Sequence, residues 1–146
     1  MRVGFIGFGG AGYGLSKGLR GAGLQDQFFF DTRWGTPAQG AAMRQQAAET
    51  GALALESLGE LLLRAEILIS CVTGAAAVTV AQQAAVFLRP DHLYVDVNTA
   101  APETKVQVAA VVEQSGAAFV DAALMGAVPA FLHRVPILAS GGGAAL

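Results

Sequence analysis

The sequence predicts a doubly wound α/β fold on a mostly parallel sheet, and three observations carry that prediction. Short apolar runs alternate with helical stretches along the whole chain, as βαβ units require. Hydrophobic residues make up 53 % of the 146 residues and charged residues only 14 %, a balance expected where strands are covered on both faces. A glycine-rich run, Gly7-Phe8-Gly9-Gly10-Ala11-Gly12, joins the first apolar run to the first helical stretch.

The elements follow in order. After the strand that ends at Ile6, Ala11 to Arg20 reads as a helix stopped by Gly21 and Gly23, and Gln27 to Phe30 as the second strand, ending at Asp31. Pro37, placed where proline is favoured at a first helical position, opens a helix that Gly51 stops. Ala52 to Leu55 is a candidate short strand, and Ser57-Leu58-Gly59-Glu60 matches a capping box ahead of the helix through Leu61, Leu62 and Leu63. Glu66 to Val72 reads as a buried strand, Ala75 to Leu88 as a helix, Arg89-Pro90-Asp91 as a turn and His92 to Val97 as a strand. Pro102 opens a helix to Gln114, which Gly116 ends; Ala117 to Ala122 and Val135 to Ala139 are the last strand candidates. Right-handed crossovers then build one doubly wound domain from residues 1–146.

Composition narrows the function classes. A net charge of −2 without a Lys/Arg cluster leaves no electrostatic footprint for nucleic acid or an anionic membrane surface. No run reaches the length of a membrane span. The N-terminal apolar run is broken by Gly4, Gly7, Gly9 and Gly10 and so does not read as a secretory signal. A lone cysteine, Cys71, cannot form an internal disulfide, and cytoplasm is the default compartment. With no Lys, Arg or His close in sequence to stabilise a thiolate, Cys71 reads as an inert buried thiol. No metal site is expected.

Gly7, Gly9 and Gly12 form a G-x-G-x-x-G with a strand before it, a helix after it and an acid, Asp31, about 20 residues further on. Those are the parts of a dinucleotide site: a sharp turn, close backbone approach to a pyrophosphate, tight helix–strand packing, and an anion resting on a helix N-terminus. A glycine-rich turn that binds nothing, or a site for an S-adenosylmethionine-type ligand, is the competing reading. A carboxylate at Asp31 would accept the adenosine ribose hydroxyls and favour NAD, whereas the guanidinium of Arg33 could grip a 2′-phosphate and keeps NADP open. Alternatively, Asp31 is a solvated turn residue and Arg33 plain surface. Ligands in open α/β sheets lie beyond the carboxyl ends of the strands. That adds Val72, Thr73 and Gly74 after one strand, with Asn98 and Thr99 after the next as the polar groups facing a nicotinamide. Thr99 could equally cap the helix at Pro102.

Three runs together, Gly7 to Gly12, Asp96-Val97-Asn98-Thr99-Ala100-Ala101-Pro102 and Phe119-Val120-Asp121-Ala122-Ala123-Leu124-Met125-Gly126, resemble the β-hydroxyacid dehydrogenase and 6-phosphogluconate dehydrogenase family over almost the whole chain. The resemblance implies a Rossmann-type NAD(P)-binding domain, followed in the family by an all-helical domain that completes the active site and mediates homodimerisation. The implied reaction is hydride transfer between NAD or NADP and a small hydroxy-acid substrate. Carried over, Gly7, Phe8, Gly9, Gly10, Ala11 and Gly12 would bind pyrophosphate, Asp31 or Arg33 the ribose end, Val72 and Thr73 the middle of the cofactor, and Asn98 and Thr99 the nicotinamide side. Asn98, Met125 and Gly126 would face the substrate.

Two departures stand out. The family's substrate loop usually reads Asp-Ala-Pro-Val-Ser-Gly-Gly, but Ala123, Leu124, Met125, Gly126 and Ala127 stand there, without the serine hydroxyl. The family's catalytic lysine would fall beyond Leu146, so no catalytic residue is assigned; Lys17 and Lys105 read as solvated surface residues. His133-Arg134 is either an anion-binding pair or a polar turn, and His92 reads as surface. The chain is expected to bind cofactor without completing the chemistry. Its ending at Gly141 to Leu146 reads as that of a cut chain, which would expose an apolar patch at Met125, Val128, Pro129, Phe131 and Leu132 and promote self-association. A non-catalytic NAD-binding or sensing module is the other class of answer.

Overall fold

The computed structural model describes residues 1–146. Seven strands form one sheet: β1 (Val3–Ile6), β2 (Gln27–Phe30), β3 (Leu53–Ala54), β4 (Ile67–Ser70), β5 (Leu93–Asp96), β6 (Ala118–Leu124) and β7 (Ile137–Ser140). Their order is β3-β2-β1-β4-β5-β6-β7, parallel throughout except for β7, which runs antiparallel to β6. The helices are α1 (Gly10–Gly21), α2 (Pro37–Thr50), α3 (Leu58–Arg64), α4 (Ala77–Ala85), α5 (Pro102–Gln114) and a single turn, α6 (Val128–Phe131). Strand order reverses between β1 and β4, and the crevice outside their carboxyl ends is where ligands bind in such sheets.

Alternation along each strand builds a core on each face. Phe5 and Phe29 point to one side, where they pack with Phe8, Leu15 of α1 and Met43 and Ala47 of α2. Ile6, Phe28, Leu68 and Tyr94 point to the other and pack under α3, α4 and α5 through Leu61, Leu62, Ala81 and Val108. The Ser57 cap predicted from sequence is present, its Oγ accepting the Glu60 N–H at 3.2 Å. Thr99 caps nothing: the N-cap of α5 is Ala101, without a side-chain bond.

Boundaries differ from the sequence reading where tertiary pairing decides them. α4 proper starts at Ala77 after a 3₁₀ turn at Gly74–Ala76 and ends at Ala85. β6 continues to Leu124 because β7 pairs with it as far as Leu124↔Ile137, so Ala123 and Leu124 belong to a strand and not a substrate loop. The last strand starts at Ile137 and not Val135, since Val135 is drawn into the α1-side core and Pro136 has no N–H to give a ladder. Val128, expected in an exposed patch, is buried against α1, and Leu132 is half-buried. Pro129 is exposed, as are Met125 and Phe131 at 57 % and 52 %. His92, expected at the surface, is fully buried and accepts the Arg89 N–H on Nδ1 at 3.1 Å. Burial, together with the neighbouring Arg89 charge, pushes its pKa below the ordinary imidazole value.

The docking of α6 uses a feature that the pattern of apolar residues hides. Gly14 and Gly18 lie one turn apart on α1; a Cβ at Gly14 would stand 2.6 Å from Val128, and one at Gly18 would stand 2.5 Å from the backbone nitrogen of His133. Glycine is therefore retained in mid-helix for close packing, although alanine is the better helix former by about 1 kcal/mol. We expect Gly18→Ala to destabilise the fold by about 1–3 kcal/mol despite that propensity. Gly21→Ala, where a Cβ meets nothing within 4 Å, should instead stabilise by about 0.4–1 kcal/mol. Urea unfolding of the two variants reads both signs.

Candidate cofactor site

The chain turns off β1 at Gly7, whose φ of +92° suits glycine. A Cβ there would lie 2.5 Å from the Cys71 carbonyl oxygen, and a Cβ at Gly12 would collide with the Gly7 carbonyl oxygen. These two bare positions let α1 start directly above the carboxyl ends of β1 and β4. Gly9 is the N-cap and Tyr13 N–H to Gly9 O, at 2.8 Å, is the first bond of the helix. The N–H groups of Gly10, Ala11 and Gly12 precede it and have no carbonyl to meet within the helix. No acidic side chain lies in that first turn, so the positive dipole end is free to meet an anion. The cradle is open: a Cβ at Gly10 would touch nothing within 4 Å, and one at Gly9 only Arg33 Nη2 at 3.3 Å. A pyrophosphate fits what these residues leave.

Phe8 contributes to this loop in another way. Its side chain is fully buried, stacked on Phe29 at 4.0 Å between ring centroids, and its N–H donates to Asp31 Oδ2 at 2.8 Å. The loop is thus anchored to the core through the ring and to β2 through the amide.

Asp31 is buried, unlike a solvated turn residue, and its carboxylate is engaged on both oxygens. Oδ1 accepts from Arg33 N and Nε, each at 2.9 Å, and Oδ2 from Phe8 N and, at 2.6 Å, Arg33 Nη2. Burial alone would push this carboxyl up, but the hydrogen bonds from Arg33 and Phe8 together with the Arg33 charge outweigh it and hold the pKa below the ordinary 3.8. Exposure separates the two partners: the Asp31 side chain is 4 % exposed and that of Arg33 44 %. The guanidinium, not the carboxylate, is the group presented outward.

A cavity of about 590 Å³ opens at this point. Gly7 and Gly9 of the glycine turn, Asp31, Thr32 and Arg33 after β2, and Val72 and Thr73 after β4 line it. Sequence reasoning missed its floor on α4, where Thr79 and Gln83 line it one turn apart. The available signal was a polar pair at i, i+4 in a helix whose other residues, apart from Gln82, are Ala and Val. A second recess of about 330 Å³ continues from it, lined by Ala11, Val72, Thr73, Asn98, Thr99 and Gly126 among others. Thr73 and Thr99 are exposed there. The loops that carry them touch, since a Cβ at Gly74 would collide with the Thr99 carbonyl oxygen.

Asn98 holds these loops together instead of presenting its amide. Its Oδ1 accepts the Val72 N–H at 2.7 Å and its Nδ2 donates to Ser70 Oγ at 3.0 Å. Met125 lies outside the recess, exposed, with its N–H donated to the Pro136 carbonyl at 2.8 Å. Gly126 lines the recess. Cys71 is half-buried and lines both cavities, not fully buried as expected, and desolvation with the Asp96 charge pushes its thiol up to about 12, which keeps it protonated. His133 packs on Gly18 of α1, Arg134 is exposed, and neither lines either cavity. Lys17 is at the surface, bridging to Glu49 at 3.3 Å. Lys105 is not a solvated side chain: it is 11 % exposed and contacts Asp96 and Asp121. No three His, Cys, Asp or Glu side chains are grouped to hold a metal ion, and no helix is long and apolar enough to cross a membrane.

The family model for the NAD binding domain of 6-phosphogluconate dehydrogenase matches residues 2–146. Among solved structures, a conserved hypothetical protein from Sinorhizobium meliloti 1021 is 34 % identical, with a TM-score of 0.88 over 95 % of this chain and 46 % of its own. A conserved protein of unknown function, described as structurally similar to 3-hydroxyacid dehydrogenases, is 31 % identical with a TM-score of 0.83 over 99 % of this chain and 52 % of its own. A 3-hydroxyisobutyrate dehydrogenase from Mycobacterium tuberculosis, solved with L-serine, is 27 % identical with a TM-score of 0.75 over 90 % of this chain and 44 % of its own. The chain therefore spans about half the length of these relatives. No curated protein matches it.

The Asp31 carboxylate sets a pH signature. A group whose folded pKa is depressed stabilises above its unfolded value and loses that contribution as pH falls through the folded one. Asp31→Asn should cost about 1–3 kcal/mol at pH 7. The gap between wild type and variant should then shrink as pH drops below 3.8, read by urea unfolding across a pH series.

Proposed function

The chain belongs to the family of the NAD-binding domain of 6-phosphogluconate dehydrogenase, and from that membership we propose that residues 1–146 bind NAD(P) for hydride transfer to or from a small hydroxy-acid substrate. The single observation that supports this most is the cavity at the reversal of strand order, lined by the open glycine turn and the Asp31–Arg33 pair. The N–H groups of Gly10, Ala11 and Gly12 would take the pyrophosphate. Thr79 and Gln83 would lie against the adenosine, and Thr73 and Thr99 would offer their hydroxyls toward the nicotinamide half. When bound, the nicotinamide ring supplies or accepts the hydride, and this chain's residues hold and orient it.

The sequence leans to NAD through Asp31; the geometry moves the weight to Arg33. Both Asp31 oxygens already accept hydrogen bonds, and the charge that would repel a 2′-phosphate is paired with the guanidinium that faces outward. We therefore favour NADP(H), with Arg33 as the group that reads the adenosine ribose.

A general acid or base must stand within about 3 Å of the reacting substrate oxygen, and no side chain of this chain is assigned that role. The relatives' greater length leaves room for a helical domain that completes the active site and mediates homodimerisation, and we assign catalysis and dimer formation to such a domain. The recess at Thr99 and Gly126 would then form this domain's share of the substrate site. We place the protein in the cytoplasm, in keeping with the free thiol of Cys71 in this chain.

Calorimetric titration with NADPH and NADH tests the reading. Gly9→Val fills the pyrophosphate space, and in the fold its Cβ meets only Arg33 Nη2, at 3.3 Å. It should lower both affinities at least about tenfold, or about 1.4 kcal/mol, while leaving the unfolding midpoint near wild type. Arg33→Ala should lower NADPH affinity about tenfold and NADH affinity by less than about threefold. Absence of binding by the wild-type chain would remove the reading's main support, and equal losses for the two cofactors in Arg33→Ala would return the ribose to Asp31.

A further inference from the structure

Sheet register places two carboxylates side by side beneath the smaller recess. Asp96 lies opposite Asp121 across the parallel β5–β6 pair, an arrangement in which like charges repel. Asp96 is fully buried and its Oδ2 has no hydrogen-bond partner. Lys105, one turn into α5, reaches back to the end of the sheet. Its Nζ lies 3.2 Å from Asp96 Oδ1 and 2.9 Å from Asp121 Oδ1, and donates to the Asp96 carbonyl at 3.2 Å. Without that cation a buried carboxylate would stand uncompensated, which is strongly unfavourable.

The arrangement continues upward into the cofactor loops. Asp96 Oδ1 also accepts the Asn98 N–H at 2.8 Å, and Asn98 Oδ1 in turn accepts the Val72 N–H at 2.7 Å. One connected path therefore runs from the Lys105 ammonium through Asp96 and Asn98 to Val72. Val72 and Thr73 line both cavities, and Asn98 and Thr99 line the smaller. Asp96 ends β5 two residues before Asn98, and Asp121 stands beside it in the middle of β6.

We propose that Lys105 is a positioning residue for the nicotinamide half of the site. It lines neither cavity; by fixing the Asp96 carboxylate it fixes Asn98, and through Asn98 the spacing of the Val72–Thr73 and Asn98–Thr99 loops. The role in cofactor binding rests on the dinucleotide reading above, whereas the effect on the loops does not and is measured separately.

The experiment compares wild type, Lys105→Met and Lys105→Arg by amide hydrogen exchange and by titration with NADPH and with 2′-phospho-AMP, which carries only the adenosine end. In Lys105→Met the amides of Val72 and Asn98 should exchange at least about tenfold faster, while those of Gly4 and Phe5 in β1 keep their protection. NADPH affinity should fall about tenfold, 2′-phospho-AMP affinity should stay within about twofold, and Lys105→Arg should restore most of the loss. If Lys105→Met does not fold, Asp96→Asn with Lys105→Met removes the uncompensated charge, and the same two amides should still lose protection. Unchanged protection at Val72 and Asn98, or an equal loss across β1 and β4, would overturn the proposal by showing no role or a merely structural one. Loop amides that loosen in a protein whose wild type binds no dinucleotide would overturn the cofactor reading and the assigned role with it, while leaving the coupling to the loops standing.

Discussion

Everything at the cofactor face depends on how closely α1 can approach the ends of β1 and β4, and that approach depends on two missing Cβ atoms. At Gly7 a side chain would strike the Cys71 carbonyl, and at Gly12 it would strike the Gly7 carbonyl. With both positions bare, the helix N-terminus sits over the crevice where strand order reverses, its first N–H groups turned toward open space. The rest of the site is arranged around that fixed point. Phe8 ties the loop to the Phe29 ring below, and its amide ties it to Asp31 on the neighbouring strand.

The second organising feature is the way charge is handled at the two ends of the site. In the larger cavity Asp31 and Arg33 form one unit: the carboxylate is consumed in holding the glycine loop and the guanidinium, and the guanidinium faces the cavity. At the other end Lys105 bridges Asp96 and Asp121, which the sheet register places side by side. In both places a buried acid orients other groups, and those other groups line the cavities. Buried acids suit that purpose because their oxygens accept several N–H groups at once and a paired charge is costly to displace.

The two faces of the sheet divide the work. The face under α3, α4 and α5 packs Leu, Ala and Val around Phe28, Tyr94 and Phe119, and it carries α4, whose Thr79 and Gln83 reach the cavity. The opposite face is dominated by aromatic rings at Phe5, Phe8 and Phe29 and by α1, whose Gly14 and Gly18 accept α6 and the following turn. That second contact brings the end of β6 and Gly126 to the mouth of the smaller recess.

Much of this was legible in the sequence. The alternation of apolar runs with capped helices specifies a parallel sheet because strands buried on both faces need continuous apolar stretches. The spacing of Gly7, Gly9 and Gly12, with Asp31 after the second strand, marks the crevice because each glycine answers a local steric demand. Local demands are written locally, and so the strand–turn–helix unit, the Ser57 cap and the proline starts of α2 and α5 could all be read from neighbouring residues. What the sequence left open depends on residues far apart in the chain. The antiparallel course of β7 and the length of β6 are fixed by their mutual pairing. The burial of His92 and Val128, the bracing of two loops by Asn98, and the pairing of Lys105 with Asp96 and Asp121 arise only when register and packing bring separate segments together. A lysine on a helix looks solvated until a sheet places two carboxylates beside it, and an aspartate after a strand looks free until its own neighbours have engaged both its oxygens.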